Sequence, residues 1–188
     1  MNIGYYKLAK YMGTKCHNDL SFFFSNRLDN GWTYKSAHAV ANLYPQTNNG
    51  WAIEINGETY EIIETDKRRR IPVVINGVTD KLSAQVDQVI AYQNKKYLLD
   101  WKFTKCDDEL ERIIDDARQQ IAYYAWILND PDVIGGAYII ASLTSKDVLT
   151  VGTFNFEPHE PERSLMRRLT QLPGYENLNY SDIRRAKP

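Results

Sequence analysis

The sequence predicts an α+β (mixed α/β) domain with helices packed on one central sheet. Three observations predict this class: helical apolar spacing in the first third, alternating strands from Trp51 onward, and a long amphipathic stretch over Leu110–Leu128 that separates those strands from two later ones. Because the helices are set apart by hairpins and do not alternate with every strand, we expect antiparallel strands within a mixed sheet.

Two helices are predicted in the first third. Asn18 or Asp19 can cap the first, the loop at 29–31 ends it, and its apolar residues are spaced by three and four, namely Leu20, Phe23, Phe24 and Leu28. Thr33 caps a second helix, which Pro45 stops.

The pattern then changes to a period of two. Trp51–Ile55 and Glu58–Glu64 form a predicted hairpin around Asn56-Gly57, a strong two-residue turn signal. The further strands predicted before the long helix are Ile71–Ile75, Leu82–Ala91 and Lys96–Lys102.

The long helix carries one apolar stripe and ends before Pro131. Two strands follow, at Gly136–Leu143 and Val148–Phe156, and then a last helix from about Pro161 to Leu172. We expect a single domain over residues 1–180 and a loose C-terminal tail over 181–188.

Length and composition limit the class of protein. The chain has 188 residues, of which 43% are hydrophobic and 25% are charged. This length and composition are typical of a single domain with its own core. Its longest apolar stretches, Ile121–Leu128 and Gly135–Leu143, are far shorter than the roughly 20 residues of a membrane span. With no signal-peptide core, the sequence predicts a cytoplasmic protein without a membrane partner.

Cysteine content and net charge exclude further classes. Cys16 and Cys106 are too few for a disulfide framework or an all-cysteine metal site, so we expect reduced thiols. Lys and Arg number 23 against 24 Asp and Glu, a net charge of -1. Binding of a nucleic acid therefore requires a local basic patch.

The segment Leu82–Thr104 carries the clearest chemical signal. Strand alternation puts Asp100 and Lys102 on one face. A two-residue turn at Gln93-Asn94 pairs Tyr92 with Lys95 and places Asp87 opposite Asp100. A four-residue loop would shift the pairing but leave both aspartates on the same face of the hairpin.

Two carboxylates facing each other repel unless a proton or a cation lies between them, and a divalent metal would resolve that repulsion. Lys102 is then placed to hold a water or to stabilise charge on a phosphate oxygen. The plain alternative is an amphipathic hairpin whose charged face meets water. The apolar neighbours of Asp100, which include Leu99, Trp101 and Phe103, favour a partly enclosed site.

The following helix adds Gln120 and Tyr124 at the edge of its apolar stripe, whereas Gln119 points away. An amide there is ordinarily a core hydrogen-bonding group, although its donors equally suit a phosphate site.

Taken together, Asp87, Asp100-x-Lys102 and Gln120-x-x-x-Tyr124-Ala125 resemble the nuclease domain of the RecB-type branch of the PD-(D/E)xK superfamily, which includes CRISPR adaptation nucleases and phage exonucleases. Upstream, Tyr34–His38 resembles the first motif of the family, and Cys16 before the Phe22–Phe24 run resembles its N-terminal helix. The three C-terminal cysteines of the iron–sulfur members are missing, so no iron–sulfur cluster is expected.

The resemblance implies a restriction-endonuclease-like mixed sheet flanked by helices and a metal-dependent DNA nuclease, an exonuclease rather than an endonuclease, that hydrolyses phosphodiester bonds with a metal-activated water. It implies that Mg²⁺ or Mn²⁺ is bound by His38, Asp87, Asp100 and the main-chain carbonyl of Trp101. Lys102 would orient the water, and Gln120 and Tyr124 would support the site. The family often adds a glutamate, for which Glu54, Glu61 and Glu64 are all candidates.

Positive potential for DNA has three candidate sources. The run Lys67–Arg70 is the strongest, and the others are Arg163, Arg167 and Arg168 in the last helix and Arg184, Arg185 and Lys187 in the tail. Each could equally be a solvated face. By analogy the protein would act in DNA recombination, repair or phage DNA processing, in the host cytoplasm if phage-encoded, as a homo-oligomer or with a recombination partner protein.

Two other functions remain open. The chain could be a catalytically inactive nucleic-acid-binding or structural protein with the same fold, which the joint presence of Asp87, Asp100 and Lys102 disfavours. It could also be an enzyme acting on another phosphate ester.

Overall fold

The computed structural model describes residues 32–35, 40–45, 51–104, 109–142 and 148–186, with side chains from residue 52 onward. Within these ranges the chain forms nine strands and two α-helices. In chain order they are β1 (Trp32–Lys35), β2 (Val40–Pro45), β3 (Trp51–Ile55), β4 (Glu58–Ile75), β5 (Val78–Tyr92), β6 (Lys95–Thr104), α1 (Leu110–Leu128), β7 (Val133–Ser142), β8 (Val148–Asn155), α2 (Glu160–Leu169) and β9 (Ile183–Arg185).

The strands form one mixed sheet in the order β1-β2-β3-β4-β5-β6-β7-β8, with β9 paired to β4. Every pair is antiparallel except β6 and β7, which are parallel. The parallel pair follows from the connection, because α1 carries the chain from the end of β6 back to the start of β7. The expected α+β class with a mixed sheet is confirmed.

Three two-residue turns set the registers of β3 to β6. Asn56-Gly57, Asn76-Gly77 and Gln93-Asn94 all have positive φ at both positions, as a type I′ turn requires. The Asn76-Gly77 turn joins β4 and β5 into one long hairpin. Glu58–Glu64 and Ile71–Ile75, expected as separate strands, are parts of the single strand β4.

The helix predicted from Thr33 to Pro45 is wrong where the structure describes that segment. Two strands occupy it, and Lys35 pairs with Val40. β2 pairs in turn with β3, from Ala41 with Ile55 to Pro45 with Trp51. Backbone pairing along an available sheet edge outweighs a local helix signal that consisted mainly of a cap and a stop residue. The first predicted helix, at residues 18–28, lies outside the described residues.

The two faces of the sheet have separate cores. On one face, β3 and β2 approach β8, so the sheet curls around a cluster that includes Ile53, Leu99 and Trp101. On the other face, α1 packs across β5, β6 and β7, with Ile121 and Leu128 against residues such as Leu98. Since Leu98, Asp100 and Lys102 alternate along β6, α1 covers the face that carries the Asp-x-Lys pair.

Gly136 on β7 allows α1 to lie close to the sheet. A Cβ atom at this position would overlap the side chain of Ile121 in α1. The close approach matters for the site because Gln120, the residue before Ile121 in α1, can then reach Lys102 of β6.

The C-terminal segment is not a loose tail over its described part. β9 pairs with Val73–Ile75 of β4, and Ile183 is buried in the core beneath α1 and α2. Arg185 donates a hydrogen bond to the carbonyl of Ile127 at 3.3 Å. The segment 183–185 is therefore part of the domain, and the expectation for 181–188 is corrected for residues 181–186.

No helix in the described ranges is long and apolar enough to cross a membrane.

Candidate active site

The β5–β6 hairpin has the predicted register. Tyr92 pairs with Lys95 across the two-residue turn, and the ladder continues to Gln88 opposite Leu99. Asp87 and Asp100 are the next residues on the two strands. Continuing the register by one residue places Asp87 opposite Asp100, which is the register that the sequence predicted.

Asp87 lies where the two strands separate. Its Oδ2 accepts a hydrogen bond from the backbone N–H of Trp101 at 2.8 Å. Beyond this point β6 no longer pairs with β5 but stays paired with β7, with which it pairs from Lys96 to Thr104. Asp87 is half-buried, so its carboxylate satisfies a main-chain donor while remaining partly accessible.

Asp100, Lys102, Gln120 and Tyr124 form one hydrogen-bonded network. Lys102 Nζ lies 2.8 Å from Asp100 Oδ2 and donates to Gln120 Oε1 at 2.7 Å. Gln120 Nε2 lies 3.3 Å from Asp100 Oδ1 and 2.7 Å from the Tyr124 hydroxyl. Because an ammonium only donates and a carboxylate only accepts, these contacts fix the orientation of the Gln120 amide.

The network is enclosed at its acidic end and open at its basic end. Asp100 is 4% exposed, whereas the Lys102 side chain is 24% exposed. Apolar residues that pack beneath α1 surround it, including Val86, Leu98 and Ile121. A carboxylate so far removed from water requires a cation, which Lys102 supplies.

Burial raises the pKa of Tyr124 to about 12, and the negative charge of Asp100 adds to the rise. The phenol is therefore neutral at physiological pH. Since its oxygen accepts from Gln120, its own proton is available to a further acceptor.

Asp87 and Asp100 are two oxygen donors of the kind that Mg²⁺ and Mn²⁺ prefer. Among the described residues no group of three or more His, Cys, Asp and Glu side chains could hold a metal ion. Mg²⁺ is commonly bound through one or two carboxylates, with water and substrate phosphate completing its shell. The pair fits that pattern, with Lys102 balancing one of its two negative charges.

Of the two other expected metal ligands, the structure describes Trp101, whereas His38 lies outside the described residues. Trp101 directly follows Asp100, and its main-chain N–H is bound to the carboxylate of Asp87, so its main chain lies next to both aspartates. Its indole N–H donates to buried Gln88 at 2.7 Å, which fixes the ring on the opposite face.

The three candidate glutamates occupy neighbouring strands. Glu54 is half-buried on β3, and Glu61 is exposed on β4 opposite Ala91. Glu64 pairs with Val89 in the ladder, but its carboxylate is bound by Lys67 at 2.7 Å. None of them faces Asp87 directly in the β4–β5 register.

The residue of β4 that the register places opposite Asp87 is Asp66, between the pairs Thr65–Gln88 and Lys67–Val86. Asp66 is not among the site residues that the sequence predicts. Its φ is +51°, and its carboxylate accepts from Arg68 at 3.0 Å and from Gln85 at 2.8 Å. A bulge at Ile62/Glu64, which alternation alone does not reveal, brings it to this position.

Most of the basic run at 67–70 serves the fold. Lys67 pairs with Glu64 and Arg68 with Asp66. Arg69 donates to the carbonyl of Leu128 at 2.5 Å and so caps the end of α1. Only Arg70 of this run is left as an exposed cation without such a contact among the described residues.

Comparison with known proteins adds little to this geometry. No protein-family model matches the chain, and no curated protein matches it. Among solved structures, the chain is similar to one titled "Crystal structure of SSO0001", with 17% sequence identity and a TM-score of 0.43. The similarity covers 57% of this chain and 48%, about half, of that chain.

Proposed function

We propose that the chain is a metal-dependent DNA nuclease with a restriction-endonuclease-like core, an exonuclease of the RecB type, acting in DNA recombination, repair or phage DNA processing. The observation that carries the proposal is the placement of Asp87 and Asp100 at facing positions of the β5–β6 hairpin, with Lys102 and Gln120 bonded around Asp100. These groups are far apart in sequence and suited to one reaction.

Asp87 and Asp100 would hold Mg²⁺ or Mn²⁺, with the Trp101 carbonyl as a further oxygen donor. When bound there, a divalent cation polarises a phosphoryl oxygen and lowers the pKa of water. The hydrogen bond from Trp101 N to Asp87 keeps the two carboxylates in register while the strands diverge. Holding donors in place before substrate arrives reduces the reorganisation needed during reaction.

Lys102 would act on the attacking water and on the phosphate. Its ammonium has three donors, of which Asp100 and Gln120 engage two. With the side chain partly exposed, the remaining donor can reach a water or a non-bridging phosphate oxygen. Its charge would stabilise the negative charge that develops there.

Tyr124 and Gln120 would position these groups from α1. The neutral phenol can donate a proton to a phosphate oxygen, and Gln120 holds both Lys102 and Tyr124. Because Gln120 bonds both Lys102 of β6 and Tyr124 of α1, it holds the two elements together. A phosphate bound to Lys102 would then be aligned with the hydroxyl of Tyr124.

A restriction-endonuclease-like core is supported by the order of elements around the site. An antiparallel hairpin carries the carboxylates, a helix crosses the same face, and the next strand lies parallel to β6. The site thus lies where β6 leaves β5 and continues beside β7.

A nucleic-acid-binding or structural protein without turnover is the second candidate. Its specific support is the closure of the network: Lys102 is already bound by Asp100 and Gln120, which is how a purely structural buried pair would be satisfied. In the basic run, Lys67 and Arg68 are paired with carboxylates and Arg69 is bound to a main-chain carbonyl, so the run offers DNA fewer unengaged cations than a nuclease surface would.

The test is incubation of the protein with end-labelled single- and double-stranded DNA in Mg²⁺, in Mn²⁺ or in EDTA. Lys102→Ala is compared with Lys95→Ala, a matched change at an exposed position of the same strand. We expect metal-dependent cleavage by the wild type and by Lys95→Ala, and none by Lys102→Ala. Equal cleavage by both variants would contradict the proposed role of Lys102.

Two further arms separate the alternatives. DNA binding without cleavage in any metal would favour the non-catalytic protein. If the protein instead hydrolyses a small phosphate ester that DNA does not displace, the substrate is not a polymer.

A further inference from the structure

Helix α2 places one arginine beside the candidate site. Leu165 and Leu169 bury α2 in the core that it shares with α1. The guanidinium carbon of Arg168 then lies 4.7 Å from the centroid of the Tyr123 ring. That ring lies 5.7 Å from the ring of Tyr124, whose hydroxyl is bonded to Gln120. A continuous series of contacts thus joins Arg168 to the network around Asp100.

Arg168 differs from the other arginines of the two helices. Carboxylates lie within salt-bridge distance of those others, namely Arg112, Arg118, Arg163 and Arg167. Within the described parts of the chain, Arg168 has no such carboxylate, and its side chain is exposed. The positive charge of Arg168 acts to lower the pKa of Tyr124 and so opposes the rise that burial causes.

We propose that Arg168 binds the DNA backbone phosphate next to the one that is cleaved, with the Tyr123 ring as its support; this rests on the proposed function. A guanidinium lying over a ring keeps its N–H edges directed outward, and its planar fork matches two phosphate oxygens. The ring also limits the conformations of a long side chain, so less entropy is lost when phosphate binds.

Tyr123 is itself held in place. Its hydroxyl lies 3.4 Å from the carbonyl oxygen of Ser83 on β5, and the residue is 6% exposed. The support for Arg168 therefore belongs to the rigid α1–β5 packing that also carries Asp87. A phosphate bound to Arg168 would be fixed relative to the carboxylate pair.

Arg167, one of the cations that the sequence suggested for DNA, is paired with a carboxylate away from the candidate site and therefore provides the matched control. It is adjacent in sequence, equally long and also exposed, but it lies 3.8 Å from Asp115 and lines the groove of about 510 Å³ between α1 and α2. Neither Asp87, Asp100 nor Lys102 lines that groove. Replacing Arg167 removes the same charge from the protein but leaves Arg168, the residue proposed to bind phosphate, unchanged.

The test measures binding of a short, fluorescently labelled single-stranded DNA by anisotropy in EDTA over a series of salt concentrations. We expect Arg168→Ala to weaken binding about tenfold and to reduce the salt slope by about one, as loss of one phosphate contact does. Arg168→Lys should recover part of the affinity, and Arg167→Ala should stay within about twofold of the wild type. Thermal unfolding checks that each variant is folded.

Kinetics in Mg²⁺ give a second readout. Arg168→Ala should raise KM with little change in kcat, because the contact is the same in the ground state and the transition state. Binding by Arg168→Ala that equals that of Arg167→Ala would overturn the inference while leaving cleavage by the wild type, and hence the proposed function, intact. Wild-type binding without cleavage would contradict the nuclease alone, and no DNA binding at all would contradict both.

Discussion

The carboxylate of Asp87 accepts a hydrogen bond from the backbone N–H of Trp101, with 2.8 Å between Asp87 Oδ2 and the Trp101 nitrogen. Trp101 is the residue between Asp100 and Lys102. One side chain of β5 therefore fixes the main chain from which both charged groups of β6 project. Asp87 has a structural role in addition to its proposed role as a metal ligand, and substitutions can separate the two.

Asp87→Asn keeps an oxygen that can accept from Trp101 but removes the charge, whereas Asp87→Ala removes both. We expect the free energy of unfolding of Asp87→Asn to stay within about 1 kcal/mol of the wild type, and that of Asp87→Ala to fall by about 1–3 kcal/mol, because a main-chain N–H loses its acceptor. Urea denaturation measures both. Equal stability of the wild type and Asp87→Ala would show that the hydrogen bond contributes nothing.

Lys102 should stabilise the fold through Asp100. Lys102→Met leaves a carboxylate that is 4% exposed without its cation, and we expect a loss of about 3 kcal/mol in the free energy of unfolding. The double variant Asp100→Asn with Lys102→Met removes both charges and should recover most of that loss. Denaturant unfolding of the single and double variants completes the cycle; losses that simply add would contradict direct pairing.

Tyr124 should make the stability depend on pH in the alkaline range. Its pKa is raised to about 12 in the fold, against about 10 for an unperturbed tyrosine. The folded state therefore retains a proton that the unfolded state releases, so stability is full below pH 10 and is lost as the pH rises towards 12.

The measurement is denaturant unfolding at pH 8 and pH 11 for the wild type and Tyr124→Phe. Between these two pH values the wild type should lose about 1.4 kcal/mol more free energy of unfolding than the variant. Parallel losses in the two proteins would mean that Tyr124 titrates normally. Because the phenol stays neutral, its ionisation should not reduce the cleavage rate below pH 10. Any fall in the cleavage rate of the wild type in that range should therefore occur equally in Tyr124→Phe.

Arg69 should stabilise the end of α1. Its guanidinium donates to the Leu128 carbonyl, and a cation at a helix C-terminus also interacts favourably with the helix dipole. We expect Arg69→Ala to lower the free energy of unfolding by about 1–2 kcal/mol, whereas Arg70→Ala, the adjacent exposed arginine, should change it by less than about 0.5 kcal/mol. A similar loss in both variants, measured by urea denaturation, would contradict the capping role.

Local signals predicted most of the sheet and the site. Asn56-Gly57 and alternation located β3 and the start of β4, and the turn at Gln93-Asn94 gave the register that brings Asp87 towards Asp100. The apolar stripe of α1 located Gln120 and Tyr124 on the covered face. These features depend on neighbours in sequence, so a single sequence contains them.

Features that depend on distant partners were missed. β2 forms by pairing with β3, β1 by pairing with β2, and β9 by pairing with β4, so none of the three needs a strong local pattern. The length of β4 could have been predicted, because Asn76-Gly77 carries the same turn signal as Asn56-Gly57. Asp66 required the fold, because a bulge brings it opposite Asp87. Arg168 was among the cations predicted for DNA, but only the fold separates it from its neighbours, because a helix contact places it over Tyr123.

The central claim is that Asp87 and Asp100 together bind a divalent cation. Mn²⁺ binding followed by electron paramagnetic resonance tests it with Asp87→Asn, Asp100→Asn and the matched control Asp80→Asn, an exposed carboxylate of the same strand β5 as Asp87. We expect saturable binding by the wild type and Asp80→Asn, and its loss in both Asp87→Asn and Asp100→Asn while the proteins remain folded. Mn²⁺ binding that survives both substitutions would contradict the account.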